Sequence, residues 1–244
     1  MTAAPPIETV REGDVLRIRL NRPEVRNAQT PAMWDELRAI GLAIEPDIRF
    51  VFIEGAGSDF SSGLDTSVLA DRGQNSFIRA LKSDPNAAIE EAQGAFRVWM
   101  DIPQVVIAAV QGNVIGAGFQ LALACDIVVA APNATFALRE IQLGLVPDLG
   151  ATGALLASVG YHRTFALCSG VPMTAERALA DGFVHCISED PRSTVADLAS
   201  QLRSLDGRAL ADMKALLRNQ SSPDWGRERQ TQIARLAALF PDGE

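Results

Sequence analysis

The stretch GNVIGAGFQLALACD, residues 112–126, constrains the fold more than any other part of the chain. It follows the apolar run VVIAAV (105–110), which reads as a buried strand, and it passes through a glycine-rich bend into an alanine-rich helix. Gly116 and Gly118 let the backbone turn where a side chain would collide. A helix that starts there leaves its first N–H groups without internal partners, and that end of a helix favours negative charge. Two readings are open on these residues alone: a tight strand-to-helix turn of any α/β protein, or a seat for a developing negative charge such as an enolate oxygen.

The flanking pattern is α/β. DVLRIRL (14–20) alternates as a half-buried strand, and IRFVFIEG (48–55) is more continuously apolar and so more buried. Between them, Thr30-Pro31 predicts a capped helix start, with Met33, Leu37, Ile40 and Ile44 at helical spacing. Residues 66–86 are polar and carry Gly73, Asn75, Asp84 and Pro85, so an irregular flap over a site is expected there. Ile89, Ala92, Phe96 and Trp99 predict a helix that stops at Pro103. DIVVAA (126–131) is a further strand, Thr174 caps a short helix ending at Gly182, and helices are expected near 193–205, 207–219 and 226–240. The division expected is a core over 1–190 and a helical region over 191–244.

Composition removes several function classes. A net charge of −8 without a basic stripe argues against nucleic acid, whose phosphates would be repelled. No apolar run reaches the roughly 18 residues of a membrane span, and the first residues show no secretory pattern. Three scattered cysteines (Cys125, Cys168, Cys186) in apolar surroundings read as reduced core thiols of a cytoplasmic protein. Two histidines without ligand spacing predict no metal site.

The common small motifs fail. Neither Gly55-Ala56-Gly57 nor Gly116-Ala117-Gly118 is followed by the third glycine of a dinucleotide fingerprint, and phosphate-loop and G-x-S-x-G patterns are absent. What remains is two glycine turns after buried strands, Gly63 before Leu64 and Gly116 before Ala117. Two N–H groups on one oxygen form an oxyanion hole, and a nearby carboxylate can serve as acid or base. Glu140, in FALREIQLGL, is isolated among apolar residues. It is either a carboxyl of raised pKa or a surface group paired with Arg139.

In order, NRPEVRNA (21–28), FSSGLD (60–65) and IGAGFQLALACD (115–126) resemble the motifs of the crotonase, or enoyl-CoA hydratase/isomerase, superfamily across residues 7–220. The resemblance implies an α/β spiral of strand–strand–helix turns with a C-terminal helical trimerisation region. It implies Leu64 and Ala117 N–H as oxyanion donors. Arg26, Ala28, Ser62, Gly63, Asp65 and Gly116 would bind the substrate and its CoA moiety, with no separate cofactor. A homotrimer or dimer of trimers is expected.

The departures bear on chemistry. Hydratases of the family use two glutamates; the first position is Gln120 here and the second is Glu140. Glutamine orients by hydrogen bonding but takes no proton at neutral pH. Simple isomerases of the family use the single glutamate, and its dienoyl-CoA isomerases add an aspartate at the position of Asp148, which could equally be an ordinary turn residue after Pro147. The chain stops at LAALFPDGE, short of the family's basic and aromatic tail, which leaves Arg26 as the candidate cation for CoA phosphate. Double-bond isomerisation through Glu140 is the leading expectation. Gln120 would be a polar wall or water holder, and Asp148 a second acid or a support for Glu140. Hydration with Asp148 as the second carboxylate is the alternative. A non-catalytic acyl-CoA binder is the reading from another class.

Overall fold

The computed structural model describes residues 4–70, 75–220 and 225–239. Gly73 and residues 240–244, which entered the expectations above, lie outside them. An antiparallel pair, β1 (Ile7–Glu12) and β2 (Val15–Leu20), opens the chain. Helix α1 (Pro31–Leu42) begins at Thr30, whose side chain accepts from the Met33 N–H, with Pro31 at the first helical position. Strand β3 (Phe50–Gly55) is buried throughout.

Residues 66–86 are helical rather than irregular where described. They hold α2 (Ser67–Ala70) and α3 (Ser76–Ser83), and α4 (Pro85–Asp101) follows at once. Asn75 and Asp84, read as loop markers, are the N-caps of α3 and α4, accepting from Ile78 N–H and Ala87 N–H. Next come β4 (Val105–Val110), β5 (Asn113–Ile115), α5 (Ala117–Ala124), β6 (Ile127–Ala130) and β7 (Thr135–Ala137). After a 3-10 turn at Glu140–Leu143, α6 spans Ala151–Cys168 with a break at Gly160. The sequence reading missed this helix. β8 (Met173–Thr174), α7 (Ala175–Ala180), β9 (Cys186–Ile187), α8 (Pro191–Leu202), α9 (Gly207–Gln220) and α10 (Trp225–Leu239) complete the fold.

The strands form a six-stranded sheet in the order β1-β2-β3-β4-β6-β9, parallel from β2 onward, and a small sheet β5-β7-β8. Two single bridges, Gln29↔Leu64 and Ser61↔Val114, extend the small layer back toward the first turns. Each turn of chain thus gives a strand to the main sheet, bends, gives a short extended piece to the second layer and returns by a helix. This is the expected spiral, and stacking the turns places the bends after β2, β3 and β4 side by side.

The main sheet buries both faces, as parallel strands covered by helices do. On one face Val51, Ile53, Val106 and Ala108 join Leu37 of α1 with Phe96 and Trp99 of α4 in the main core. On the other, Phe52, Ile107 and Val129 pack with Val195 and Ala199 of α8. Buried Glu54 of β3 ties this side down through Arg17 (2.9 Å), Arg19 (2.8 Å) and Arg192 (3.6 Å). Asp126 pins α9 through Lys214 (2.8 Å) and Arg218 (3.0 Å).

Candidate active site

The bend after β2 is the first part of the site. Arg26 and Asn27 both adopt left-handed backbone, at φ 55° and 54°, a conformation that costs a non-glycine residue about 1 kcal/mol or more. Buried Asn27 offsets this with three hydrogen bonds: its Nδ2 donates to the Ala56 (2.9 Å) and Asp59 (2.8 Å) carbonyls, and its Oδ1 accepts from Arg22 N–H (2.9 Å). The bend then holds the next one. Ser61 Oγ donates to the Asn27 carbonyl (2.8 Å), Ser62 N–H to the Arg26 carbonyl (2.8 Å) and Gln29 N–H to the Gly63 carbonyl (2.7 Å). Asp65 pairs with Arg22 (3.0 Å) and accepts from Ser67, and these partners, Ser67 first, keep its carboxyl below the usual range.

The bends after β3 and β4 then meet. Gly63 has φ 89°, and a Cβ there would lie 2.8 Å from the Ile115 carbonyl oxygen and 3.5 Å from Ala117 N. Gly116 has φ 52°, and its Cβ would lie 3.8 Å from Gly63 Cα. Ile115 N–H donates to the Ser61 carbonyl (2.9 Å). In the parallel bridge of Gln29 with Leu64, the flanking Gly63 carbonyl and Asp65 N–H bond Gln29, so the Leu64 N–H points to the other side. Ala117 is the first residue of α5, where an N–H has no helical partner. Leu64 and Ala117 line the same cavity, so residues of two distant loops meet at one space.

The acidic side of the cavity carries Gln120, Glu140 and Asp148 together. Gln120 Nε2 donates to Glu140 Oε1 (2.8 Å), while its Oε1 accepts from Leu149 N–H (2.9 Å). Glu140 is partly exposed as a residue, yet its Oε2 is enclosed and has no hydrogen-bond partner. Burial pushes the Glu140 carboxyl above its ordinary pKa. Its side chain faces Gly116, whose Cβ would stand 3.3 Å from Oε1, rather than pairing with Arg139. Asp148 is buried, and its backbone carbonyl accepts from Gln93 Nε2 (2.8 Å).

The cavity is about 280 Å³. Arg26, Ser62, Gly63 and Gly116 also stand on its wall, whereas Ala28 and Asp65 do not. Thr66, Leu69 and Phe77 come from the segment expected to be a flap. Sequence reasoning did not find Trp34, Ile89, Leu145, Gln232 or Leu236 as wall residues. Trp34 Nε1–H donates to Gln29 Oε1 (2.8 Å), which leaves its ring as apolar wall. Gln232 and Leu236 of α10 close the cavity, and Gln232 accepts from Val146 N–H (3.3 Å). The C-terminal helix therefore reaches the site with a neutral amide and a leucine. Only placement in space brings these residues together, though the spacing of Ile89 with Ala92 did mark their helix face.

Among the described residues, no group of three or more histidine, cysteine, aspartate or glutamate side chains is placed to hold a metal ion, and no helix is long and apolar enough to cross a membrane. None of the three cysteines is in a disulfide, and burial pushes the Cys125 thiol up to about 12.

A spiral of strand–strand–helix turns that sets glycine-bend amides beside a buried carboxyl is the architecture of the crotonase class. The sequence profile of the enoyl-CoA hydratase/isomerase family matches residues 10–240, and the chain belongs to that family. It is 35% identical to the 2,3-dehydroadipyl-CoA hydratase of Escherichia coli (strain K12) over 243 residues, 95% of this chain and 90% of that protein. It is also 35% identical to the mitochondrial Delta(3,5)-Delta(2,4)-dienoyl-CoA isomerase of Mus musculus over 191 residues, 72% of this chain and 56% of that protein. A crystal structure from Thermobifida fusca, solved in complex with acetoacetyl-CoA, superposes with a TM-score of 0.84 at 34% identity, covering 96% of this chain and 95% of that one.

Proposed function

We propose that the protein shifts the double bond of an enoyl-CoA thioester from the 3- to the 2-position, with Glu140 carrying the proton. The observation behind this reading is that Glu140 Oε2 has no partner in the protein while the neighbouring position 120 is a neutral amide. In the proposed mechanism Glu140 takes a proton from C2 of a 3-enoyl thioester. The C2–H electrons form a dienolate whose charge rests on the thioester oxygen between the Leu64 and Ala117 N–H groups. The proton then returns to C4, leaving the double bond between C2 and C3. Raised by burial, the Glu140 carboxyl is closer to the proton affinity such shuttling needs. The acetoacetyl-CoA bound by the Thermobifida relative supports a thioester in this cavity. No cofactor beyond the CoA moiety is required.

Glu140→Gln is expected to lower kcat on a 3-enoyl-CoA by about 10²–10⁴-fold; undiminished turnover would rule Glu140 out as the base.

A second reading is hydration of a 2-enoyl-CoA with Asp148 as the second carboxylate, favoured by the place of Asp148 on the same wall. Incubation in isotopically labelled water separates the two, because label enters a 3-hydroxyl group only if hydration runs. We also propose a homotrimer or a dimer of trimers in the cytoplasm, for which the exposed apolar face of α6 is the structural support.

A further inference from the structure

The amide of Gln120 is committed at both ends. Its carbonyl oxygen accepts from the Leu149 N–H (2.9 Å) and, more loosely, the Ala151 N–H (3.4 Å). Ala151 is the first residue of α6, and Leu149 stands just before its N-cap, Gly150, which offers no side chain. Its Nε2 donates to Glu140 Oε1 (2.8 Å). The two ends cannot exchange, because a flipped amide would set NH₂ against two N–H donors and oxygen against a carboxylate. The start of α6 therefore dictates that Glu140 meets a donor. Glu140 Oε1 also lies against Gly116, where any Cβ would come within 3.3 Å of it. Oε1 is held by Gln120, and Oε2 is the oxygen left over.

We propose that Gln120 is the positioning residue for Glu140: anchored by the two amides that flank the N-cap of α6, it holds Oε1 and presents Oε2 to the reacting carbons. This rests on the isomerase reading, in which Glu140 carries the proton. It also replaces the role of water holder expected from the sequence. The donor favours the ionised carboxylate and so opposes the upward push of burial. The other charged groups on the cavity wall are Asp148, Arg139 and Arg26.

Two variants separate positioning from capping. Gln120→Glu keeps acceptor oxygens for the α6 amides and replaces the donor by a second carboxylate. Gln120→Met removes donor and acceptor together. kcat and KM on a 3-enoyl-CoA are measured across the pH range in which each variant stays folded. For Gln120→Glu, the acid limb of kcat is expected to move up by about one pH unit or more, since neighbouring carboxylates share a proton. Its kcat at neutral pH should fall about tenfold or more while KM changes by less than about threefold. An acid limb that coincides with that of the unmodified protein would overturn the proposal and leave Gln120 as a helix cap. A substrate-free readout covers weak turnover: the carboxyl of Glu140 is titrated by carbon-13 NMR, its signal assigned by its loss in Glu140→Gln. In Gln120→Met, Glu140 should titrate at higher pH than in the unmodified protein; an unmoved titration overturns the proposal. If the unmodified protein turns over no 3-enoyl-CoA, the isomerase reading fails by itself, and the titration still decides what Gln120 does to Glu140.

Discussion

Gly63 shows how closely a single side chain can be forbidden. Alanine there would need φ near 89° and would press its Cβ to 2.8 Å from the Ile115 carbonyl oxygen, so the two bends would have to separate. Gly63→Ala is expected to lose about 1–3 kcal/mol of stability from backbone strain and, by displacing the Leu64 amide, about 10²-fold in kcat. Gly13→Ala is the matched control, because its φ of 64° is equally left-handed but nothing lies within 4 Å of the added Cβ. It should cost stability in a urea melt and leave kcat alone. Glu140 carries the opposite trade. Its folded-state pKa lies above the unfolded one, so between them the folded protein binds more protons, and stability falls as pH rises through that interval. Glu140→Gln removes that titration, so it should melt at a higher temperature than the unmodified protein at pH 8, a gain that shrinks as the solution is acidified below the unfolded carboxyl's pKa. An equal gain at both pH values would show that burial of charge is not the cause. The glycines of the two bends were legible because a left-handed turn between strand and helix restricts the residue type so strongly. Asn27 was legible only as part of a motif, since its partners Ala56 and Asp59 are brought to it by the spiral.

Helix α6 was invisible in the sequence for a definite reason. Its N-cap is Gly150, which has no side chain to offer, and it is interrupted at Gly160; the Ala151 N–H at its start and the Leu149 N–H just before it donate instead to Gln120, about thirty positions earlier. A cap supplied through tertiary structure leaves no local signal. Helix α3 and the start of α4 failed differently, although Ile89, Ala92, Phe96 and Trp99 did mark the body of α4. Their caps, Asn75 and Asp84-Pro85, stand in the sequence, and the polarity of the segment outweighed them. Strands β3 and β4 were legible because continuous apolar runs between polar bends have few other homes; β1 buries only Ile7 and so lacks that signature. Helix α9 is fastened by charge rather than by an apolar stripe. Lys214 is buried, bonded to the Trp99 and Gln104 carbonyls at 2.9 Å each and to Asp126, and its burial lowers its pKa. Asp126 also accepts from the Val106 N–H (2.8 Å) and pairs with Arg218. Asp126→Ala would strand a buried cation and an amide, at an expected cost of about 3 kcal/mol. Lys214→Met, which removes the charge and keeps most of the side-chain volume, should cost less. Urea midpoints of the two variants in the reverse order would mean that α9 is held by packing.

Among the described residues, α6 leaves an apolar surface in water. Tyr161 and Phe165 of α6, whose rings lie 6.1 Å apart, are 66% and 63% exposed, and Leu156 and Val171 are each about half exposed. Large aromatic rings grouped on one helix face mark a surface that associates. The net charge of −8 keeps separate molecules apart in solution, so association there must rest on local apolar contact. Helix α6 is also the element whose N-terminal end, at Leu149 and Ala151, anchors Gln120. Burying its outer face in a proposed trimer would therefore steady the clamp on Glu140 from behind. Tyr161→Glu with Phe165→Glu is expected to convert a particle of three 26.1 kDa chains into single chains in sedimentation velocity. The same double variant should lower kcat more than it raises KM, because neither residue lines the cavity while their helix holds its acid. Single 26.1 kDa chains for the unmodified protein would remove the trimer. Dissociation with unchanged kcat would show that the clamp holds without help from a neighbour.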